Sequence, residues 1–239
     1  MAVSGKNTAV WWNSADVSGY LDNAGMSIGV DTSDTTTFQR NWKTFLAGLV
    51  DASLPFTGKY DATAGAAIEG QLGTDSGVLT YCPGGASAIG DRARLASVTG
   101  ANYAESSPVG DIVTFAWDAK SQTIVGLGWV QHTFTEDTNT TVGTSYDGGA
   151  ATTNGWTAHL HVSLVDGGSW VVKLEDSADN SNWTDVSGGA FTAATGVTQQ
   201  RLTSASGATL RRYTRYTATR TGGSAGQGIT FGLAIARMV

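Results

Sequence analysis

Ala158-His159-Leu160-His161-Val162-Ser163-Leu164 alternates apolar and polar side chains without a break, and that period of two decides the fold class. On an extended strand Ala158, Leu160, Val162 and Leu164 share one face, and Thr157, His159, His161 and Ser163 share the other. Trp170, Val172 and Leu174 follow the same rule, as do Ile229, Phe231, Leu233 and Ile235, whose opposite face is Thr230, Gly232, Ala234 and Ala236. Turn-forming residues separate these segments, so the second half is expected to be a β-sandwich of roughly six to eight strands.

The first half reads as strands at 26–38, 54–60, 78–82, 93–103 and 111–118, the last with Val113, Phe115 and Trp117 alternating against Thr114 and Ala116. Trp42, Phe45 and Leu46 stand at i, i+3 and i+4, which predicts one or two helical turns over 40–47 ending at Gly48. A second short helix is expected over 64–72, where Ile68 and Leu72 are four apart and Gly73 follows. The fold class is therefore mainly β, with one or two short helices in the first half.

Composition agrees with many strands and tight turns: among 239 residues there are 32 Gly, 3 Pro and 14% charged residues. With 41% hydrophobic residues, including 8 Trp, the chain has enough apolar area to fold as one large domain or two smaller ones. Residues 1–134 hold 7 basic against 12 acidic side chains, and residues 135–239 hold 7 against 8. The polar stretch Thr135 to Thr144 lies at this shift and is the best linker candidate, so the expected domains are 1–134 and 135–239.

A net charge of −6 argues against a surface built to grip nucleic acid. Cys82 is the only cysteine, which excludes an intrachain disulfide and any Cys-based zinc site. No window of about 18 apolar residues is present and the N-terminus has no apolar signal region, so no membrane span and synthesis in a cytosol are expected.

Several residues invite a chemical reading. His159 and His161 project from the same strand face as two metal ligands would, but no third ligand stands out, and a polar sheet face or a subunit contact explains them as well. The run Asp176-Ser177-Ala178-Asp179-Asn180-Ser181-Asn182-Trp183 offers closely spaced oxygens, yet lacks the glycine and terminal glutamate of a calcium loop and reads as an Asx-rich turn. The glycine-rich run 222–228 opens no helix and reads as a hairpin loop rather than a phosphate cradle. Arg211, Arg212, Arg215 and Arg220 are expected to pair with Glu175, Asp176, Asp179 and Asp185 within or between subunits. Pairs such as Asp31 with Asp34 have no partner that would raise a pKa, and no nucleophile elbow exists, so neither catalysis nor a cofactor is expected.

Two sets of segments, in order, resemble the major tail proteins of long-tailed bacteriophages, particularly those with non-contractile tails. In the second half they are Asn154-Gly155, the strand 158–162, the run 175–180, Trp183, Phe191, Arg201 and Arg212-Tyr213-Thr214-Arg215. This set is similar to a β-sandwich module recurrent in virion proteins. In the first half they are the run Asp31 to Phe38, Trp42, and Gly48 to Ser53 leading into Phe56 to Asp61, which resemble a tail-tube domain.

The resemblance implies a tail-tube-like β-sandwich or barrel domain followed by a C-terminal β-sandwich. It implies a structural virion protein of the tail, assembled in the host cytoplasm, whose copies close hexameric rings that stack into a tube. Double-stranded DNA would pass through the lumen without specific binding, and the other partners would be tape measure, tail terminator and tail tip proteins. Asp31, Asp34, Thr36, Phe38, Trp42 and Asp51 are then candidates for ring or inter-ring contacts, and Asp176, Asp179, Trp183, Arg212 and Arg215 for organising the sandwich. The competing reading is a capsid decoration protein or a carbohydrate-binding adhesin, in which Trp11, Trp12 and Trp156 would stack on sugar rings.

Overall fold

The computed structural model describes residues 4–62, 68, 69, 72, 73 and 76–238. The chain is mainly β, with antiparallel sheets. Its strands are β1 (Ala9–Trp12), β2 (Ala15–Asp16), β3 (Leu21–Ala24), β4 (Ser27–Asp34), β5 (Phe45–Lys59), β6 (Gly77–Cys82), β7 (Arg92–Ser106), β8 (Thr114–Ser121) and β9 (Gly126–Asp137). They continue with β10 (Thr141–Val142), β11 (Tyr146–Asp147), β12 (Trp156–Val165), β13 (Ser169–Ser177), β14 (Thr184–Ala190), β15 (Thr198–Thr203), β16 (Tyr213–Thr221) and β17 (Ile229–Arg237).

The chain divides into two units, but not at residue 134. The first unit gathers residues 1–19, 77–96 and 126–239, and the second gathers 20–76 and 97–125. A cut at 134/135 would sever β9, which pairs with β17 up to Ile229 opposite Asp137. The stretch expected to be a linker ends β9 and forms β10, whose Thr141 and Val142 pair with Ala218 and Thr217 of β16. Regrouped by unit, the sequence's charge separates completely: the second unit carries 4 basic and 10 acidic residues, and the first carries 10 of each.

In the first unit, β12, β17 and β9 pack one face against the sheet β10-β16-β13-β14. Trp156, Leu160, Trp170, Leu174, Phe231 and Leu233 fill that core, at the alternate positions the period of two picks out. The opposite face of the same strands is also buried. Trp11 of β1, Cys82 of β6 and Leu95 of β7 cluster there with Val130, Ala234 and Ala236. Gly232 is required at this layer, because a Cβ would lie 2.7 Å from the Phe134 ring and 3.0 Å from the Trp11 ring. Strands β12 and β17 are thus interior strands of a three-layer unit, which corrects the reading of His159 and His161 as a polar sheet face or a subunit contact: both are fully buried.

In the second unit, β5 is the central strand, paired with β3, β4 and β8. Its Leu54 and Phe56 are buried, and Phe56 stacks on Trp117 of β8 with ring centroids 5.1 Å apart. Gly58 is obligatory there, since a Cβ would come within 2.2 Å of the Tyr20 carbonyl. The helix expected over 40–47 does not form, because Phe45, Leu46 and Ala47 belong to β5 and pair with Asp34, Ser33 and Thr32. Of the second expected helix, most of 64–72 lies outside the described residues, and Ile68 and Glu69 are helical. Short 3₁₀ turns stand at Gly5–Asn7 and Ser18–Tyr20.

Candidate assembly surface

The second unit carries a two-stranded ribbon, β4 and β5, whose residues 27–51 are all exposed. Its register pairs Ile28 with Ala52, Val30 with Val50, Thr32 with Ala47 and Asp34 with Phe45. Side chains alternate along a strand, so these pairs share one face, the same face on which Leu54 and Phe56 are buried further along β5. The apolar period of the core therefore runs past the body of the unit onto a ribbon that no layer covers among the described residues. One extra residue of β5 is absorbed between Val30 and Thr32, where Gly48 lies so close to Asp31 that a Cβ would sit 3.1 Å from its carbonyl oxygen.

The ribbon's end is pinned by short polar contacts. The Thr35 amide donates to the Thr44 carbonyl at 2.8 Å, and the Thr35 hydroxyl donates to the same oxygen at 3.1 Å. The Thr44 amide donates to the Thr36 hydroxyl at 3.0 Å. The Asp34 carboxylate accepts from the Thr36 amide at 2.8 Å, and its hydrogen bonds from the Thr36 hydroxyl and amide hold it below the usual carboxylate range. Gln39 turns the chain in the left-handed region at φ 68°. Beyond these contacts the tip presents Phe38, 100% exposed, and Trp42, 84% exposed, beside Arg40 and Lys43. Exposed apolar side chains grouped in this way are a candidate interaction surface.

All six residues singled out from sequence for assembly, Asp31, Asp34, Thr36, Phe38, Trp42 and Asp51, lie on this ribbon. Asp34 lies 3.8 Å from Lys43, and Asp51 lies 3.4 Å from Lys120 of β8. Sequence reasoning missed Ile28, Val30, Leu46, Leu49 and Val50, which are exposed on the same ribbon. A strand reading of 45–53 in place of the helix would have found Leu46, Leu49 and Val50, while Ile28 and Val30 lay within the strand already read at 26–38.

The five residues singled out in the second half lie on or beside the smaller sheet. Arg215 bonds Glu175 at 2.7 Å and lies over the Trp183 ring at 4.2 Å from its centroid. Arg212 turns instead to Asp147 of β11, donating at 2.8 and 2.6 Å, and this pair, with the Gly149 amide, holds the Asp147 carboxyl at about 2. Asp176 accepts from the Arg211 amide at 2.8 Å. Asp179 accepts from the amides of Ser181 at 2.9 Å and Asn182 at 2.8 Å and from the Ser177 hydroxyl at 2.9 Å, which closes the turn and keeps its carboxyl strongly acidic. Asp185 takes Lys173 at 2.7 Å, and Arg220 donates to the carbonyls of Ser224 and Gln227, both at 2.7 Å, across the glycine-rich hairpin loop.

His159 and His161 form a buried hydrogen-bonded chain. The Nδ1–H of His161 donates to the Asn13 carbonyl, its Nε2 accepts from the Thr80 hydroxyl at 2.8 Å, and the Thr80 oxygen stands 3.3 Å from Nδ1 of His159. Burial lowers the His161 pKa to about 4, and burial with the nearby His161 and Arg201 lowers that of His159 well below its ordinary value. Among the described residues no group of three His, Cys, Asp or Glu side chains is placed to hold a metal ion. Trp11, Trp12 and Trp156 are each 1% exposed, so none offers a face to a sugar ring.

No protein-family model matches the sequence, and no curated protein matches it. Among solved structures, the chain is similar to a component of the virion of a native gene transfer agent particle, at 14% identity and TM-score 0.43, over 53% of this chain and 98% of that one. It is similar to a chain of the sheath-tube complex of an extracellular contractile injection system, at 10% identity and TM-score 0.40, over 53% and 90%. It is also similar to the Dit protein of phage SPP1, a hub adsorption apparatus protein of phages infecting Gram-positive hosts, at 11% identity and TM-score 0.35, over 97% and 99%.

Proposed function

We propose that this chain is a structural protein of a virion tail, whose copies close into hexameric rings that stack into the tube through which double-stranded DNA reaches the host. The observation that carries the reading is the β4–β5 ribbon, a pinned strand pair that presents an apolar face with no layer over it. A monomer keeping Ile28, Val30, Phe45 and Val50 of that face in water, with Phe38 and Trp42 at the tip, has no use for them, whereas a polymer buries them. The outer edge of β4 adds unpaired backbone groups of the kind that closed assemblies satisfy.

The sequence resemblance to major tail proteins supports the six-fold ring, the passage of DNA and the partners at the ends of the tube, namely tape measure, terminator and tip proteins. The charge distribution supports a conduit. The ribbon-bearing unit carries the chain's entire excess of acidic residues, and a wall of that sign repels a duplex rather than gripping it. Burial of Trp11, Trp12 and Trp156 removes the three indoles on which the sugar-binding alternative was placed.

Negative-stain electron microscopy of the purified protein tests the proposal. Rings or tubes are expected, and a protein that stays monomeric at high concentration overturns it.

A further inference from the structure

The second unit ends in two unlike surfaces at opposite ends of one sheet. Strand β8 is antiparallel to β5, with Thr114 opposite Lys59 and Lys120 opposite Ser53, so the turn at 107–113 lies at the end of β5 far from the ribbon tip. The Tyr60 amide donates to the Val113 carbonyl at 2.9 Å, which fixes Tyr60 at that same end. This far end is apolar and exposed at Tyr60, Val109 and Ile112. It is acidic at Glu105 and Asp111, both exposed, the first accepting from the Tyr103 hydroxyl at 2.8 Å and the second from the Ile112 amide at 2.7 Å.

The tip matches it with opposite sign. Between residues 35 and 44 the only charged side chains are Arg40 and Lys43, set among Phe38 and Trp42. A basic aromatic tip and an acidic apolar end within one unit complement each other in charge and in character, and an antiparallel sheet points them away from each other. The same chain cannot satisfy both at once, since β5 alone spans roughly 46 Å at about 3.3 Å per residue over its 15 residues. Surfaces that are complementary but not self-complementary join copies head to tail.

We infer that the ribbon tip of one copy docks on the 107–113 end of the next, with Arg40 and Lys43 facing Glu105 and Asp111 and with Phe38 and Trp42 covering Val109 and Ile112. The inference rests on the assembly reading above and names the receiving surface. It fixes the polarity of stacking: each copy offers one tip and receives one.

Charge reversal tests it. R40E with K43E, or E105R with D111R, is expected to raise the concentration at which tubes form by about tenfold or more. All four reversals in one chain are expected to restore assembly, and an equimolar mixture of the two half-reversed proteins is expected to co-assemble. Circular dichroism melts of each variant confirm that these exposed changes leave the fold intact. Reversal of either end without effect, or a fourfold variant no better than the half-reversed ones, overturns the inference. Should F38S with W42S abolish tubes while the charge reversals do nothing, the ribbon remains an assembly element but its partner lies elsewhere. A wild-type chain that forms no assembly fails both readings.

Discussion

His161 shows how a residue's role follows from what lies above it. On the page it is the polar half of an alternating strand; in the fold it is sealed beneath Thr80 and Asn13. Its folded pKa of about 4 lies below the ordinary value of 6.5, so the unfolded chain binds the proton more readily. Its contribution to stability is then complete above about pH 6.5 and is lost as pH falls towards 4, an effect on the order of 3 kcal/mol for a shift of this size. Denaturant unfolding at pH 7.5 and 4.5 should show that loss, and His161→Gln should reduce the dependence, leaving the part that buried His159 contributes with the same sign. Gly232→Val is expected to destabilise by about 2 kcal/mol or more, because the new side chain meets the rings of Phe134 and Trp11, and a denaturant midpoint measures it. Neither effect was legible in the sequence. The alternation located His161 and Gly232 on a strand face, but burial of that face depends on residues 81 or more positions away.

At the scale of the element, the ribbon was half legible. The Thr-rich strand from residue 27 and its acidic positions were visible, while 40–47 carried a helical spacing of Trp42, Phe45 and Leu46 that the fold overrides. The physical reason is the register: once β4 extends to Asp34, pairing with Phe45 satisfies backbone groups on both strands, and three spaced apolar residues give an isolated helical turn too little to compete. Because none of the described residues covers the ribbon, it can be shortened without loss of the fold. Replacing residues 35–44 by Asn-Gly is expected to leave the unfolding midpoint unchanged within about 0.5 kcal/mol and to abolish assembly, as read by calorimetry and electron microscopy on the same preparation.

At the scale of the whole molecule, the first unit is built from chain segments far apart in sequence. Residues 4–19 and 77–96 supply the layer over β12 and β17, with Trp11, Cys82 and Leu95 in its core. A fragment of residues 135–239 is therefore expected to fail to fold, since it loses that layer and most of β9. A dispersed amide spectrum from this fragment would show that the third layer is dispensable. The full chain's assembly should repeat along its axis at no more than roughly 50 Å, the span of β5 with its turns, which helical diffraction or microscopy measures.

A period of two is a local property, so the β character of the chain, the strands that alternate and the apolar face that β12 and β17 turn to the smaller sheet could all be read along the sequence. The sequence also marked the acidic turn at Asp179, whose contacts are with neighbours two and three residues away. Which segments form a unit, the interior place of a face carrying histidines, and the apolar stripe that runs onto the ribbon become visible in the folded chain alone. Those outcomes depend on which distant strand lies opposite, and strand pairing between distant segments is set by the sum of many weak contacts rather than by any stretch that can be read alone.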